Sequence, residues 1–479
     1  MSRRYDLIVI GGGTAGLVAA VIAAGVGARV VLIERERTGG DCLWTGCVPS
    51  KSLLAAADLA HRMRTAGAVG LEPVEPRIDF PRVMGHVDGA RRTIEPHDSP
   101  ERLRRDGVEV VHGAARFTAP GRVEVDGRVI AYRAALLATG SRPVVPPVEG
   151  LADARPLSSE TVWDLRELPG RLVVLGGGPI GCELGQAFAR LGSDVTLVEQ
   201  GDRLLEKEEP EASRLVAERL AAEGVRVLTG AGAARLEDRA VLVRGAGGAE
   251  TPVAFDRIIA ATGRRPETAG LGLEAVGVQL DEGGAVRVDE RLRTTGRGIF
   301  AAGDVTGALP FTHVAAYHAR IAVVNALFLT RRKVEYSAVP WVTFTDPEVA
   351  RVGLTEAQAR ERYGAKTTVA THDYAELDRA IAAGQPYGFA KLVGDRRGRL
   401  VGATVAAPAG GEAIAELAAT VRRGGKIGDL SEAVHAYPTF AEGPARAADD
   451  HLSTRYFNAR VRAVTRPLLA GLRVASRVR

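Results

Sequence analysis

Two of the three cysteines in this 479-residue chain, Cys42 and Cys47, stand with four residues between them in the stretch GGDCLWTGCVPSK, residues 39 to 51. Thiols this close either trade electrons as a disulfide or ligate a metal. Half of a zinc site is the alternative to a redox pair, and its second pair of ligands is missing. A disulfide needs Cα atoms roughly 4.4 to 6.8 Å apart, too close for positions i and i+5 of a regular helix. Cys42 is therefore expected on an irregular turn, with Gly46 supplying the freedom. Cys47 falls at the start of a predicted helix through Val48, Pro49, Ser50 and Lys51, because proline favours a first turn. A thiolate there is favoured by the helix N-terminus and by Lys51. Cys182 stands alone and is read as an inert helix residue.

Something must hold an electron carrier beside such a pair, and two glycine fingerprints supply candidates. Gly11-x-Gly13-x-x-Gly16 and Gly176-x-Gly178-x-x-Gly181 each follow an apolar strand and open a helix. Glu34 and Glu199 each lie 23 residues beyond the first glycine. That is the context of a dinucleotide site: a tight turn, close backbone approach to pyrophosphate, close helix–strand packing, and an acid for the ribose. Glu199 would repel a 2′-phosphate, which favours NADH over NADPH, while Arg203 nearby leaves NADPH open as the alternative. The stretch at 6 to 36 is echoed at 171 to 201, and ATGSRP (138 to 143) is echoed by ATGRRP (261 to 266). Thr139, Gly140 and Gly263 in these loops join the cofactor-binding candidates.

The fold class expected is α/β, with two Rossmann-like dinucleotide-binding domains and a C-terminal α+β domain. The expected boundaries are 1–148, 149–269, a central segment 270–337 completing the first domain, an interface domain 338–465 and a basic tail 466–479. The Pro-rich SRPVVPPVEG (141 to 150) marks the first boundary, and the alternating, turn-rich pattern from Val339 onward marks the antiparallel sheet. The net charge is +5, but 57 of the 63 basic residues are arginines spread along the chain. No nucleic-acid partner is expected from that distribution. No apolar run approaches the roughly 20 residues that span a bilayer, so a cytoplasmic protein is expected. From Arg455 to Arg479 there are seven arginines and no acid, with Leu468, Leu469, Leu472, Val474 and Val478 on an amphipathic pattern. A terminal helix packed on its own subunit or simply frayed is expected, with a membrane-surface or partner contact the lesser alternative.

Taken together, these motifs resemble the FAD-dependent pyridine nucleotide–disulfide oxidoreductases, from Tyr5 to about Asp450. GGDCLWTGCVPSK resembles that family's redox-disulfide segment, IFAAGDV its second FAD-contacting motif, and YPTFAEG its C-terminal active-site segment. The resemblance implies FAD on the first fingerprint, NAD(P)H on the second, and a homodimer that sets Tyr437 and Glu442 of one chain against Cys42 of the other. It implies further that Cys47 faces the flavin and Cys42 is the interchange thiol, that Lys51 and Glu183 lie near flavin and nicotinamide, and that Asp304 binds the ribityl and phosphate region. Electrons would then pass from NADH through the flavin and the Cys42–Cys47 disulfide to an acceptor.

The departures matter as much. Most disulfide-reducing members carry a histidine where this chain has Tyr437, five residues before Glu442; His435 comes two residues too early. A histidine titrates near neutrality, whereas a tyrosine stays a neutral donor. A tyrosine followed by Thr439 and Glu442 is similar to mercuric reductases, which implies a metal ion such as Hg(II), or another small acceptor, in place of a bulky disulfide. The alternatives are a dihydrolipoamide-dehydrogenase-like reductase using His435, and an FAD-binding scaffold whose disulfide does not turn over. No cysteine follows Cys182, unlike mercuric reductases with their C-terminal pair. Asp41 replaces the usual Thr and is expected to disfavour a Cys42 thiolate; Trp44 replaces the usual Asn. His313 and His318 are read as structural.

Overall fold

The apolar runs that flank each fingerprint, DLIVI and VVLIE, are buried on both faces, as interior strands of parallel sheets are. In the computed structural model, which describes residues 4–328 and 330–475, they form β1 (Tyr5–Ile10) and β2 (Val30–Glu34), joined by α1 (Thr14–Gly25). A one-turn helix α2 (Gly40–Trp44) and a long helix α3 (Cys47–Arg64) follow, then α4 (Phe80–Asp98) and α5 (Pro100–Arg105). Next come β3 (Glu109–His112), the meander β4 (Ala115–Ala119), β5 (Arg122–Val125) and β6 (Arg128–Leu137), and the short β7 (Ser141–Pro143). The sheet order is β3-β2-β1-β6-β5-β4. Alternation along β1 divides the core: Leu7 and Val9 join one apolar cluster, Ile8 and Ile10 the other.

The second fingerprint repeats the device with β8 (Arg171–Leu175), α6 (Pro179–Leu191), β9 (Asp194–Val198), α7 (Pro210–Ala222) and β10 (Arg226–Leu228). An antiparallel trio, β11 (Ala231–Glu237), β12 (Ala240–Gly245) and β13 (Glu250–Ala254), precedes β14 (Arg257–Ala260), which closes a parallel sheet ordered β10-β9-β8-β14. The echoed loops meet physically: β15 (Arg264–Pro266) pairs antiparallel with β7, Arg264 opposite Pro143. β16 (Ile299–Ala301) then returns to pair with β6, and α8 (Thr312–Phe328) packs on α1.

A five-stranded antiparallel sheet carries the C-terminal region: β17 (Pro340–Thr343), β18 (Glu348–Gly353), β19 (Thr368–Asp373), β20 (Phe389–Gly394) and β21 (Leu400–Ala407), ordered β17-β18-β21-β20-β19. Its helices are α9 (Glu356–Tyr363), α10 (Asp378–Ala382), α11 (Gly410–Arg423), α12 (Ile427–Glu432), α13 (Glu442–Tyr456) and α14 (Ala459–Ala475).

The chain divides into two compact units, and the division departs from the expected boundaries. Residues up to Leu205 join Leu220–Glu335 in the first, which thus holds both fingerprints; Glu206–Arg219 joins the residues from Tyr336 on in the second. Residues 206–219 were expected with the second fingerprint. Buried charge draws them away: Glu208 pairs with Arg351 at 2.8 Å, and Lys391 reaches Glu209 at 3.4 Å, Glu211 at 2.7 Å and Glu356 at 3.1 Å. Charges this deep are tolerated only when paired. The expected boundary at 465/466 falls inside α14, whose Val464, Leu468, Leu469 and Leu472 are exposed. Of the two expected forms of the tail, packing on its own subunit is not what these exposed side chains show, and Val478 lies outside the described residues. Among the described residues, no helix is long and apolar enough to cross a membrane.

Candidate active site

The fingerprint glycines are dictated by space. A Cβ on Gly16 would sit 1.8 Å from the Gly11 carbonyl oxygen, and one on Gly181 would sit 1.9 Å from that of Gly176. Gly11 and Gly176 themselves turn at φ of +105° and +108°, the left-handed region that favours glycine. Among the described residues, nothing lies within 4 Å of a Cβ placed on Gly178, and Gly13 meets only the Gly40 Cα, at 3.8 Å. The second glycine of each fingerprint therefore leaves room at a helix N-terminus for a pyrophosphate. The two candidate acids are held in place: Glu34 accepts from the Gly12 N–H at 2.5 Å and the Glu36 N–H at 2.8 Å, and Glu199 from the Gly177 N–H at 2.5 Å and the Gly201 N–H at 2.6 Å. Around the IFAAGDV motif, the Ser141 hydroxyl donates to Asp304 at 2.7 Å, and the Thr139 hydroxyl donates to the Glu267 carbonyl at 2.6 Å. Gly140 and Gly263 both have positive φ in the echoed loops. This cradle fits a dinucleotide on each fingerprint.

The thiol pair departs from expectation in its local form. Cys42 sits inside the one-turn helix α2, not on an irregular turn; the chain breaks at Thr45–Gly46, and Cys47 opens α3 as expected. Gly46 has φ of −120°, so it is needed for space, since a Cβ there would lie 2.9 Å from the Asp41 carbonyl oxygen. All three cysteines are unbridged, and the Cys42 thiol hydrogen-bonds to Cys47. That contact, the Thr312 hydroxyl at 3.2 Å from the Cys47 sulfur, and the Lys51 charge together lower the Cys47 thiol to about 6, against the opposing effects of burial and Glu183. The same contact, with burial, pushes the Cys42 thiol well up. Lys51 is paired with buried Glu183 of α6 at 2.7 Å, so the redox helix is tied to the second fingerprint helix. Beside Cys47 opens a depression of about 450 Å³ lined by Lys51, Ser52, His86 and Ile94 among others.

Asp41 does not act as expected. Its carboxylate is paired with Arg264, and the leading causes of the raised Cys42 thiol are its contact with Cys47 and burial. Trp44 donates its indole N–H to the Thr38 carbonyl at 2.7 Å, with the Arg37 guanidinium 3.9 Å over its ring, so it packs on the loop after β2. His318 is buried and accepts from the Gly303 N–H at 3.2 Å, with burial lowering it to about 4, which makes it a neutral structural group. Cys182 is buried and its thiol is pushed far up by that burial. Thr312 and Arg264 were missed from sequence. The first stands in FTHVAAYHA, where only the histidines were weighed, and the second in the echoed ATGRRP.

The remaining candidates gather in the second unit. The exposed Tyr437, joined by a cis bond to Pro438, donates its hydroxyl to Asp378 at 2.8 Å, and that bond raises its pKa. Glu442 opens α13, accepting from the Thr439 N–H at 3.0 Å and pairing with Arg446 at 3.3 Å. Both ring nitrogens of His435 face oxygens, that of Glu416 at 2.9 Å and the Ala433 carbonyl at 3.0 Å.

Alkylation tests the electrostatics of the pair. In the reduced protein, Cys47 should react with iodoacetamide in its thiolate form, fast above and slow below a midpoint of about 6. Thr312→Val should move that midpoint upward, as measured by mass spectrometry across a pH series.

A lowered and a raised thiol lie side by side, and their helix is tied through Lys51 and Glu183 to the helix of the second fingerprint. The chain matches the family Pyridine nucleotide-disulphide oxidoreductase over residues 5–319 and that family's dimerisation domain over residues 339–448. This chain is a pyridine nucleotide–disulphide oxidoreductase. A mercuric reductase from Streptomyces lividans is 39% identical over 94% of this chain and 96% of its own. A dihydrolipoyl dehydrogenase from Thermus scotoductus is 36% identical over 93% and 97%. Among solved structures, a Cu(II) complex of the HOCl-induced flavoprotein disulfide reductase RclA from Escherichia coli superposes with a TM-score of 0.84 at 30% identity, covering 93% of this chain and 99% of that one. The enzyme is an NAD(P)H-dependent, FAD-dependent disulfide oxidoreductase with a Rossmann-type fold, and its dimerisation domain supports homodimer formation.

Proposed function

We propose that this oxidoreductase carries electrons from NADH to a thiophilic metal ion such as Hg(II) or Cu(II) through a Cys42–Cys47 disulfide. FAD would be held by Gly11, Gly13, Gly16, Glu34, Thr139, Gly140, Lys51 and Asp304, and NADH by Gly176, Gly178, Gly181, Glu199, Glu183 and Gly263. Bound FAD supplies the two-electron link between nicotinamide and disulfide.

The observation that carries the metal-ion reading is the pairing of Tyr437 with Asp378. A phenol hydrogen-bonded to a carboxylate, with its pKa raised, keeps its proton at neutral pH and cannot take one from Cys42. Reduction of a bulky disulfide needs such a base, because the Cys42 thiol is itself pushed up. A soft cation needs none, since it binds the thiolate form and displaces the proton from the thiol. Oxidation of the dithiol then forms one S–S bond and releases two protons and two electrons, enough for one Hg(II) to reach Hg(0) or for two Cu(II) to reach Cu(I). The mercuric reductase and Cu(II)-bound RclA relatives support a metal acceptor. The dihydrolipoyl dehydrogenase relatives favour lipoamide, with His435 as the base. Both nitrogens of that ring already face oxygens of its own unit.

The deciding measurement is anaerobic NADH oxidation with thiol-complexed Hg(II), with Cu(II) and with lipoamide on one preparation. Metal-dependent oxidation with lipoamide inert is expected. Lipoamide turnover at tens per second or more, the range of capable enzymes, would overturn the reading and make His435 the base to replace.

A further inference from the structure

The segment that carries the two thiols is closed into a ring of hydrogen bonds. Asp41, just before Cys42, pairs with Arg264, and Arg264 donates to the Ser159 hydroxyl at 3.2 Å. The carbonyl of the same Ser159 accepts from the Trp163 indole N–H at 2.7 Å, and that N–H also donates to the Thr45 carbonyl at 2.9 Å. The Thr45 hydroxyl returns to Asp41 at 3.3 Å. Arg264 is braced by the Ser141 hydroxyl at 2.8 Å and carbonyl at 2.7 Å. Trp163 is 3% exposed and Ser159 9% exposed, so the contact between them is shielded from competing water, while the Asp41 carboxylate is half-exposed.

The two side chains that meet the turn directly, Arg264 and Trp163, both come from the region of the second fingerprint. Ser159 lies in a turn and Trp163 on the short 3-10 helix Val162–Asp164, both just after Leu157, whose N–H donates to the Ile258 carbonyl at 2.7 Å and whose carbonyl accepts from the Ala260 N–H at 2.8 Å. Arg264 lies on β15. The ring holds the Asp41 carboxylate just before Cys42 and the carbonyl two residues before Cys47, adding side-chain anchors to the Thr45 and Gly46 N–H groups that donate to the Asp41 carbonyl across the break.

We infer that Trp163, with Ser159 and Arg264, is a positioning residue that holds the Cys42–Cys47 turn in its ring-closing geometry and thereby sets how readily the disulfide is reduced. The inference rests on the proposed use of that disulfide. Two thiols held close have a high effective concentration toward each other, which favours the disulfide. Freeing the Thr45 carbonyl lets the turn sample wider separations, and reduction becomes easier.

The test is equilibration of FAD-loaded enzyme with buffers of reduced and oxidised dithiothreitol, followed by alkylation and mass analysis of Cys42 and Cys47. Dithiothreitol gives two electrons and two protons to the disulfide and closes to its own cyclic disulfide. Trp163→Phe should reach half-reduction at a reduced-to-oxidised ratio at least tenfold lower than the wild type, a shift of about 30 mV. Ser159→Ala, which removes only the Arg264 arm, should shift the same way by a smaller factor, and it decides the matter should Trp163→Phe fail to fold. Both variants titrating with the wild type overturns the inference, even where their FAD content or melting temperature falls. A wild-type protein that forms no Cys42–Cys47 disulfide in any buffer refutes the electron-relay reading itself, and the ring's role with it.

Discussion

Cys42→Ser is expected to lower NADH oxidation by any acceptor on the order of 10³-fold or more, as loss of a reacting group does, while FAD binding stays intact. Cys42 and Cys47 are the only thiols near each other, and Cys182 is buried in α6 with its thiol pushed far up, so nothing replaces the lost sulfur. The variant also separates two roles of Cys42. Its thiol donates the hydrogen bond that does most to lower Cys47. Serine keeps a donor at that place, so the Cys47 alkylation midpoint should remain below the ordinary thiol range. Cys42→Ala removes the donor as well, and the midpoint should climb toward the ordinary value near 8.5. Steady-state oxidation with Hg(II) and Cu(II), read beside alkylation across pH, checks both. Undiminished turnover by Cys42→Ser would mean that electrons leave by a route that bypasses the thiols.

Gly181→Ala is expected to cut NADH-dependent turnover by up to about 10²-fold while leaving FAD bound. A methyl placed 1.9 Å from the Gly176 oxygen forces α6 away from β8. Overpacking of that kind costs about 1–3 kcal/mol, and each 1.36 kcal/mol is a factor of ten. The helix N-terminus meant for pyrophosphate moves with it, and Glu183, which pairs with Lys51, lies two residues on. Gly16→Ala makes the mirror experiment, since its methyl would lie 1.8 Å from the Gly11 oxygen and should cost flavin content instead. Flavin absorbance per protein and the KM for NADH distinguish the two. A Gly16→Ala protein that keeps its flavin but loses NADH would reverse the proposed assignment of the fingerprints.

Much of this enzyme is legible in its sequence. The fingerprints are legible because a helix must pass within van der Waals contact of the strand before it, and glycine alone permits that approach at Gly16 and Gly181. The echo of ATGSRP in ATGRRP was visible as text; that the two segments form one ladder, β7 with β15, was not. Tyr437 in place of a histidine was plain, yet its proton is kept by Asp378, 59 residues away on another element.

What the sequence by itself determined are features encoded within some thirty residues: the two βαβ units, the glycines, the acids that end β2 and follow β9, and a cysteine opening a helix. Tertiary structure decided the electrostatics of the thiols and the allegiance of residues 206–219. Asp41 was read as a threat to the Cys42 thiolate, but Arg264, 223 residues later, takes up its charge. Thr312, 265 residues beyond Cys47, supplies the hydroxyl beside that sulfur. The physical reason is common to all of them. Backbone propensity and steric demand act between near neighbours, whereas a buried charge or thiol takes whichever partner packing brings within about 3 Å, and no spacing in the sequence records that choice.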